Sequence, residues 1–171
     1  MGIDGGVDDF PAVLGELDQH AAAVRGIGLA PDQPRGFYDG LDLEREIAAA
    51  ERQGLGDTVL PADGDELEGF AVCHCGGGTE AGSGTCFIKF GAVLPGDGAA
   101  ARFERLLDTC EAFAGDRGLP RLLAGVNTAR HGAHRALLGR GYRARLNGLT
   151  MLRPNGPGYN RADAYVIDDL R

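Results

Sequence analysis

The sequence predicts a mixed α/β fold, mostly antiparallel with one parallel crossover, on three observations. The run Cys86 to Leu94 is apolar almost throughout and stops at Pro95, as a strand buried on both faces does. After the turn Gly96-Asp97-Gly98, Phe103, Leu106, Leu107, Cys110, Phe113 and Ala114 recur at three- and four-residue spacing, the signature of a helix with one apolar face. A short apolar strand, Leu122 to Val126, follows the helix stop at Gly115, Gly118 and Pro120. Strand, long helix and strand in that order form a crossover unit, which joins parallel neighbours and is right-handed in nearly all proteins.

The remaining elements take their places around this unit. Asp9 to Val24 reads as a first helix, with Val13, Leu17, Ala21 and Val24 as its stripe and Gly15 weakening it. Residues Gly26 to Gly40, rich in Gly, Pro and Asp, form a loop, and Met1 to Val7 makes a poor strand. Leu41 to Gln53 carries a second helix with Leu43, Ile47 and Ala50 on one side, stopped by Gly54 and Gly56. Thr58 to Leu60 is a short strand before the turn Ala62 to Asp65. Leu67 to His74 and Thr85 to Leu94 form antiparallel strands joined by the glycine-rich stretch 76–84. Asn127 and Thr128 are N-cap candidates for a last helix running to Arg140 and ending at Gly141-Tyr142. Arg143 to Leu152 and Ala164 to Asp168 are closing strands around a loop rich in Pro, Gly and Asn. The whole is one globular unit: residues 1–40 are an N-terminal helix and loop, and 41–171 the α/β domain.

The formal charge of -8 is unevenly spread. Residues 1–97 hold 5 basic and 18 acidic side chains, and residues 98–171 hold 12 basic and 7 acidic. That distribution argues against nucleic-acid binding, which needs a broad basic face, but suits a small polyphosphate against the C-terminal half; helix surfaces alone would also produce it. No segment approaches the ~20 apolar residues of a membrane span and the N-terminus has no signal-like pattern, so a cytoplasmic protein is expected. Cys73, Cys75, Cys86 and Cys110 lie in strand and helix patterns, as free thiols of a reducing compartment do.

From about Leu41 onward the chain resembles the GNAT superfamily of acyl-CoA-dependent N-acetyltransferases. The resemblance rests on the strand Phe87 to Pro95, the helix run Leu106 to Ala114 and the segment Ala133 to Tyr142, with Tyr165 to Arg171 similar to the terminal strand of such domains. The opening strand usual before the first helix is not found, so the chain resembles either an unusual variant or the C-terminal half of a tandem two-domain member. The resemblance implies a GNAT-like fold that takes acetyl-CoA and moves its acetyl group to the amine of a small molecule, with a homodimer as a compatible assembly. It places the acyl-CoA site on Ala92, Val93, Leu94, the turn Gly96, Asp97 and Gly98, then Ala99, Ala101, Arg102 and Asn127. In this family the turn amides wrap the pyrophosphate at a helix N-terminus, which is the general physics of anion binding.

Two departures from the family pattern define a rival reading. Gly98 stands where a basic or amide residue is usual, Ala99 and Ala101 where glycines are usual, and Phe103 where a small residue is usual. Leu137 stands where many members carry a tyrosine that protonates the departing thiolate, and Lys89 or Phe90 where a carboxylate often lies, so no catalytic residue is identified. The rival is a non-catalytic module that binds a partner. Arg102 could supply phosphate charge. Tyr142 is expected to pack.

Three further features have two readings each. Cys73-His74-Cys75 places two thiols on one face of a strand and an imidazole on the other, favouring packed thiols over a metal site. His131 and His134 could meet a metal or simply cap and cover the helix. Lys89 could hold an acceptor carboxylate or sit at a sheet bulge with its amine reaching solvent.

Overall fold

The computed structural model describes residues 2–6, 44–64, 66–149 and 163–168. The first helix expected at Asp9 to Val24 and the loop 26–40 lie outside them. In chain order the elements are β1 (Gly2–Gly6), α1 (Glu44–Gln53), β2 (Gly56–Val59), β3 (Ala62–Asp63), β4 (Glu66–Leu67), β5 (Gly69–Gly76), β6 (Gly82–Val93), α2 (Ala99–Asp116), β7 (Arg121–Gly125), α3 (His131–Gly139), β8 (Arg143–Leu146) and β9 (Val166–Asp168). The architecture is therefore mixed α/β with mostly antiparallel strands.

Among the described residues a seven-stranded sheet runs β2-β5-β6-β7-β1-β8, with β9 added to β6. The β2–β5 and β5–β6 pairs are antiparallel, as expected, and β6 and β7 are parallel with α2 as the crossover. β3 and β4 make a separate small hairpin at the turn expected there.

One element corrects the sequence reading. Residues 2–6, read as a poor strand, form β1 and pair antiparallel with β7 on one side and β8 on the other. They belong to the same sheet as the rest. Their Gly-Ile-Asp-Gly-Gly composition has little β propensity, but ladder hydrogen bonds come from the backbone, and two flanking strands satisfy it. The last helix is also corrected at its start: it is capped at Arg130, whereas Asn127 turns the chain ahead of it, its Oδ1 accepting from the Ala129 amide at 3.0 Å.

α2 buries the face that its spacing predicts. Phe103, Leu106, Leu107, Cys110, Phe113 and Ala114 are all buried and share a cluster with Ile88, Val93, Leu122 and Ala124 of the sheet. A smaller cluster gathers Leu60, Phe70, Ala92, Ala164 and Val166. Among the described residues no helix is long and apolar enough to cross a membrane.

Candidate functional site

The site is built where β6 changes neighbours. Its first half, Thr85 to Ile88, pairs with β7, and its second half, Phe90 to Ala92, pairs antiparallel with β9. Between them the register against β5 jumps from Cys73↔Ile88 to Val72↔Phe90, leaving Lys89 as the extra residue of a bulge. The bulge is one of the two placements open for Lys89. Its ammonium lies 2.9 Å from a Glu80 carboxylate oxygen, and that same oxygen is 3.0 Å from His74 Nδ1. β9 fills the space that opens as β7 diverges, and the Val93 amide donates to the Tyr165 carbonyl at 3.3 Å. The Val93 amide, within the acyl-CoA site that the resemblance assigns, is thus engaged by the chain's own closing segment.

Beyond β6 the chain turns sharply into α2. Gly96 and Gly98 both have positive φ, 93° and 83°, a region that side-chain-bearing residues rarely enter. Gly98 is the N-cap and, having no side chain, caps nothing. Of the first-turn amides, Ala99 donates to the Gly96 carbonyl and Arg102 to that of Gly98. Those of Ala100 and Ala101 have no acceptor among the described residues, as expected for the open start of a helix. Gly96, Asp97, Gly98 and Ala101 are exposed, whereas Ala99 is buried.

Arg102 does not extend into the open. Its Nη1 donates to the Leu94 carbonyl at 3.1 Å, and its Nε lies 3.9 Å from Glu68. Glu68, only 7% exposed, is gripped by Arg105 through two donors, Nε to Oε2 at 2.7 Å and Nη2 to Oε1. The positive charge expected at the turn is thereby partly spent on the fold.

A groove of about 590 Å³ opens between α2 and α3, within the range of ligand clefts. Ala100, Ala101 and Glu104 line one side; Gly132, Arg135, Ala136, Gly139 and Arg140 line the other, with Tyr165 also at its wall. Small residues make up most of both walls, so a ligand can approach the helix backbones there. Tyr165 packs on Phe103, ring centroids 5.4 Å apart, and against Gly132, where a Cβ would lie 2.5 Å from the tyrosine oxygen. Glycine at 132 is therefore what admits the ring. Arg140 is tied up by Glu104, Asp108 and Glu111, whereas Arg135 is exposed with no ion-pair partner among the described residues.

Sequence reasoning missed Arg135, Gly132 and Tyr165. The stripe Gly132, Ala136, Gly139 was visible at helical spacing, but nothing local says that it faces α2. Leu137, at the position of the family's tyrosine, is fully buried, and Tyr142 packs at 3% exposure with its hydroxyl donating to Glu111 at 3.2 Å. Burial and the adjoining Glu111 carboxylate hold the Tyr142 phenol well above its usual range, so it stays protonated. Asn127 stands in the loop between β7 and α3, its amide oxygen used in the turn.

β9 is strapped to the start of α3. Arg130, 4% exposed, donates to the Val166 carbonyl at 3.3 Å and to Asp168 at 2.8 Å. His131 is exposed; His134 is half-buried, its Nε2 enclosed and unpartnered among the described residues. Cys73 packs in the main core with Cys86 and Cys110, whereas His74 Nδ1 lies 3.0 Å from a Glu80 carboxylate oxygen. Among the described residues no group of three or more His, Cys, Asp or Glu side chains is arranged to hold a metal ion.

Compared with protein-family models, with curated proteins and with solved structures, the chain gives no significant match.

Proposed function

We propose that the chain is a GNAT-like acyltransferase that takes acetyl-CoA in the groove between α2 and α3 and moves the acetyl group to the amine of a small molecule. One observation carries the reading: the first-turn amides of Ala100 and Ala101 on the crossover helix have no acceptor among the described residues, and both residues line a groove walled by small residues. Unpaired amides at the positive end of a helix favour a phosphate. Arg135, which has no ion-pair partner among the described residues, adds a guanidinium from the facing helix, the part that Arg102 was expected to play. In this reading the pyrophosphate rests on these groups and the thioester extends toward Tyr165. The amine attacks the thioester carbonyl carbon directly, the carbon–sulfur bond breaks, the Tyr165 hydroxyl is the groove's candidate donor to the leaving thiolate, and the proton shed by the amine returns through water to the phenolate.

A second reading, a non-catalytic GNAT-fold domain that binds a partner, is favoured by the closing segment. β9 and Tyr165 occupy the backbone of β6 at 90–93, leaving the Val93 amide no hydrogen free to polarise an acyl carbonyl. Thiol release from acetyl-CoA across a panel of small amines separates the two. The enzyme reading expects release above the buffer rate with at least one amine; binding of acetyl-CoA without release on any amine supports the second.

A further inference from the structure

The four cysteines gather in one part of the core: Cys73, Cys86 and Cys110 are buried in the main cluster, and half-buried Cys75 on β5 packs against it. Two of them have a special geometry. Cys75 and Cys86 are directly opposed in the antiparallel β5–β6 register. The Cys75 amide donates to the Leu55 carbonyl at 2.8 Å, on the side of β5 away from β6. In an antiparallel strand the N–H and C=O of one residue point to the same side. Cys75 and Cys86 are therefore a non-hydrogen-bonded pair, the kind in which the Cα atoms stand about 4.5 Å apart and the side chains come closest. That separation lies within the span a disulfide bridges.

We infer that Cys75 and Cys86 are a dithiol–disulfide site that staples the β5–β6 hairpin at the base of its 76–84 tip when the protein meets a peroxide. Cys75, the more exposed of the two, attacks a peroxide oxygen as thiolate; the O–O bond breaks, one water leaves and a sulfenic acid forms. The Cys86 sulfur then attacks the Cys75 sulfur, the S–S bond forms and a second water departs. Two thiols are oxidised by two electrons and the peroxide is reduced to two waters. Reaction is slow. The hydrogen bond with Cys86, and then burial, push the Cys75 thiol up, so little thiolate is present at neutral pH.

The test is hydrogen peroxide added to the native, fully reduced protein, followed by intact mass and a non-reducing peptide map. The expected result is loss of two hydrogens per chain, a single cross-link between the peptides holding Cys75 and Cys86, and full recovery of the reduced mass with dithiothreitol. Cys75→Ser should abolish the loss of two hydrogens, and Cys110→Ala should leave it intact. A cross-link between Cys73 and Cys110, stable over-oxidation of Cys75 without a cross-link, or no change in mass until the protein is denatured would each overturn the inference. The wild-type map decides by itself if a variant fails to fold.

Discussion

Replacing Leu106 by alanine is expected to lower the unfolding free energy by about 2–5 kcal/mol, the range for deleting a leucine side chain from a packed core. Leu106 is fully buried at the centre of α2, and its neighbours Phe103, Leu107, Cys110 and Phe113 are buried with it. The helix covers β5, β6 and β7 together, so a cavity beneath it weakens the parallel pair at its crossover. Denaturant unfolding of the variant measures the loss. A change under ~1 kcal/mol would mean that this face of α2 is not the one that packs.

Arg140→Met should be the second large effect, about 2–3 kcal/mol, even though methionine keeps much of the volume. Arg140 donates to Glu111 at 2.6 and 3.0 Å, to Asp108 at 2.6 Å and to Glu104 at 3.0 Å, joining the end of α3 to three turns of α2. Removing the guanidinium leaves three carboxylates along one helix face, one of them, Glu111, only 12% exposed. Breaking a buried pair costs about 3–5 kcal/mol, but Glu104 and Asp108 are nearly half exposed and recover solvation, which sets the smaller figure. The check is an unfolding curve of Arg140→Met beside that of Arg140→Lys. Lysine restores charge without the planar fork and should recover only part of the loss. Equal stability of all three proteins would show the network to be energetically idle.

The crossover at the centre of the fold was legible because its signals are local. An apolar run bounded by Pro95, a 3.6-residue stripe, and a Gly/Pro stop each depend on a few adjacent residues, and tertiary packing uses them as written. What escaped reading depends on residues far apart in sequence. β1 owes its strand to β7 and β8, not to its glycines. Arg102 is turned back by Leu94 and Glu68, and the groove-lining arginine with no ion-pair partner among the described residues is Arg135, on another helix. The pairing of β9 with β6 across the Lys89 bulge joins segments more than 70 positions apart, and no local pattern in Val166–Asp168 names its partner. The turn Gly96 to Gly98 lies between these cases: its sharpness was readable, its two open amides were not.

A calorimetric titration of acetyl-CoA into wild type and Ala101→Glu tests whether the first-turn amides of α2 form part of the proposed acyl-CoA site. A glutamate in the first turn of a helix interacts favourably with the helix dipole, so the variant should fold at least as well as wild type. Its carboxylate would compete for the same positive end and repel a pyrophosphate from the groove. Saturable binding to wild type is expected, with affinity at least about tenfold weaker for the variant, a difference of about 1.4 kcal/mol. No binding to wild type, or equal binding to both proteins, would contradict the proposed site.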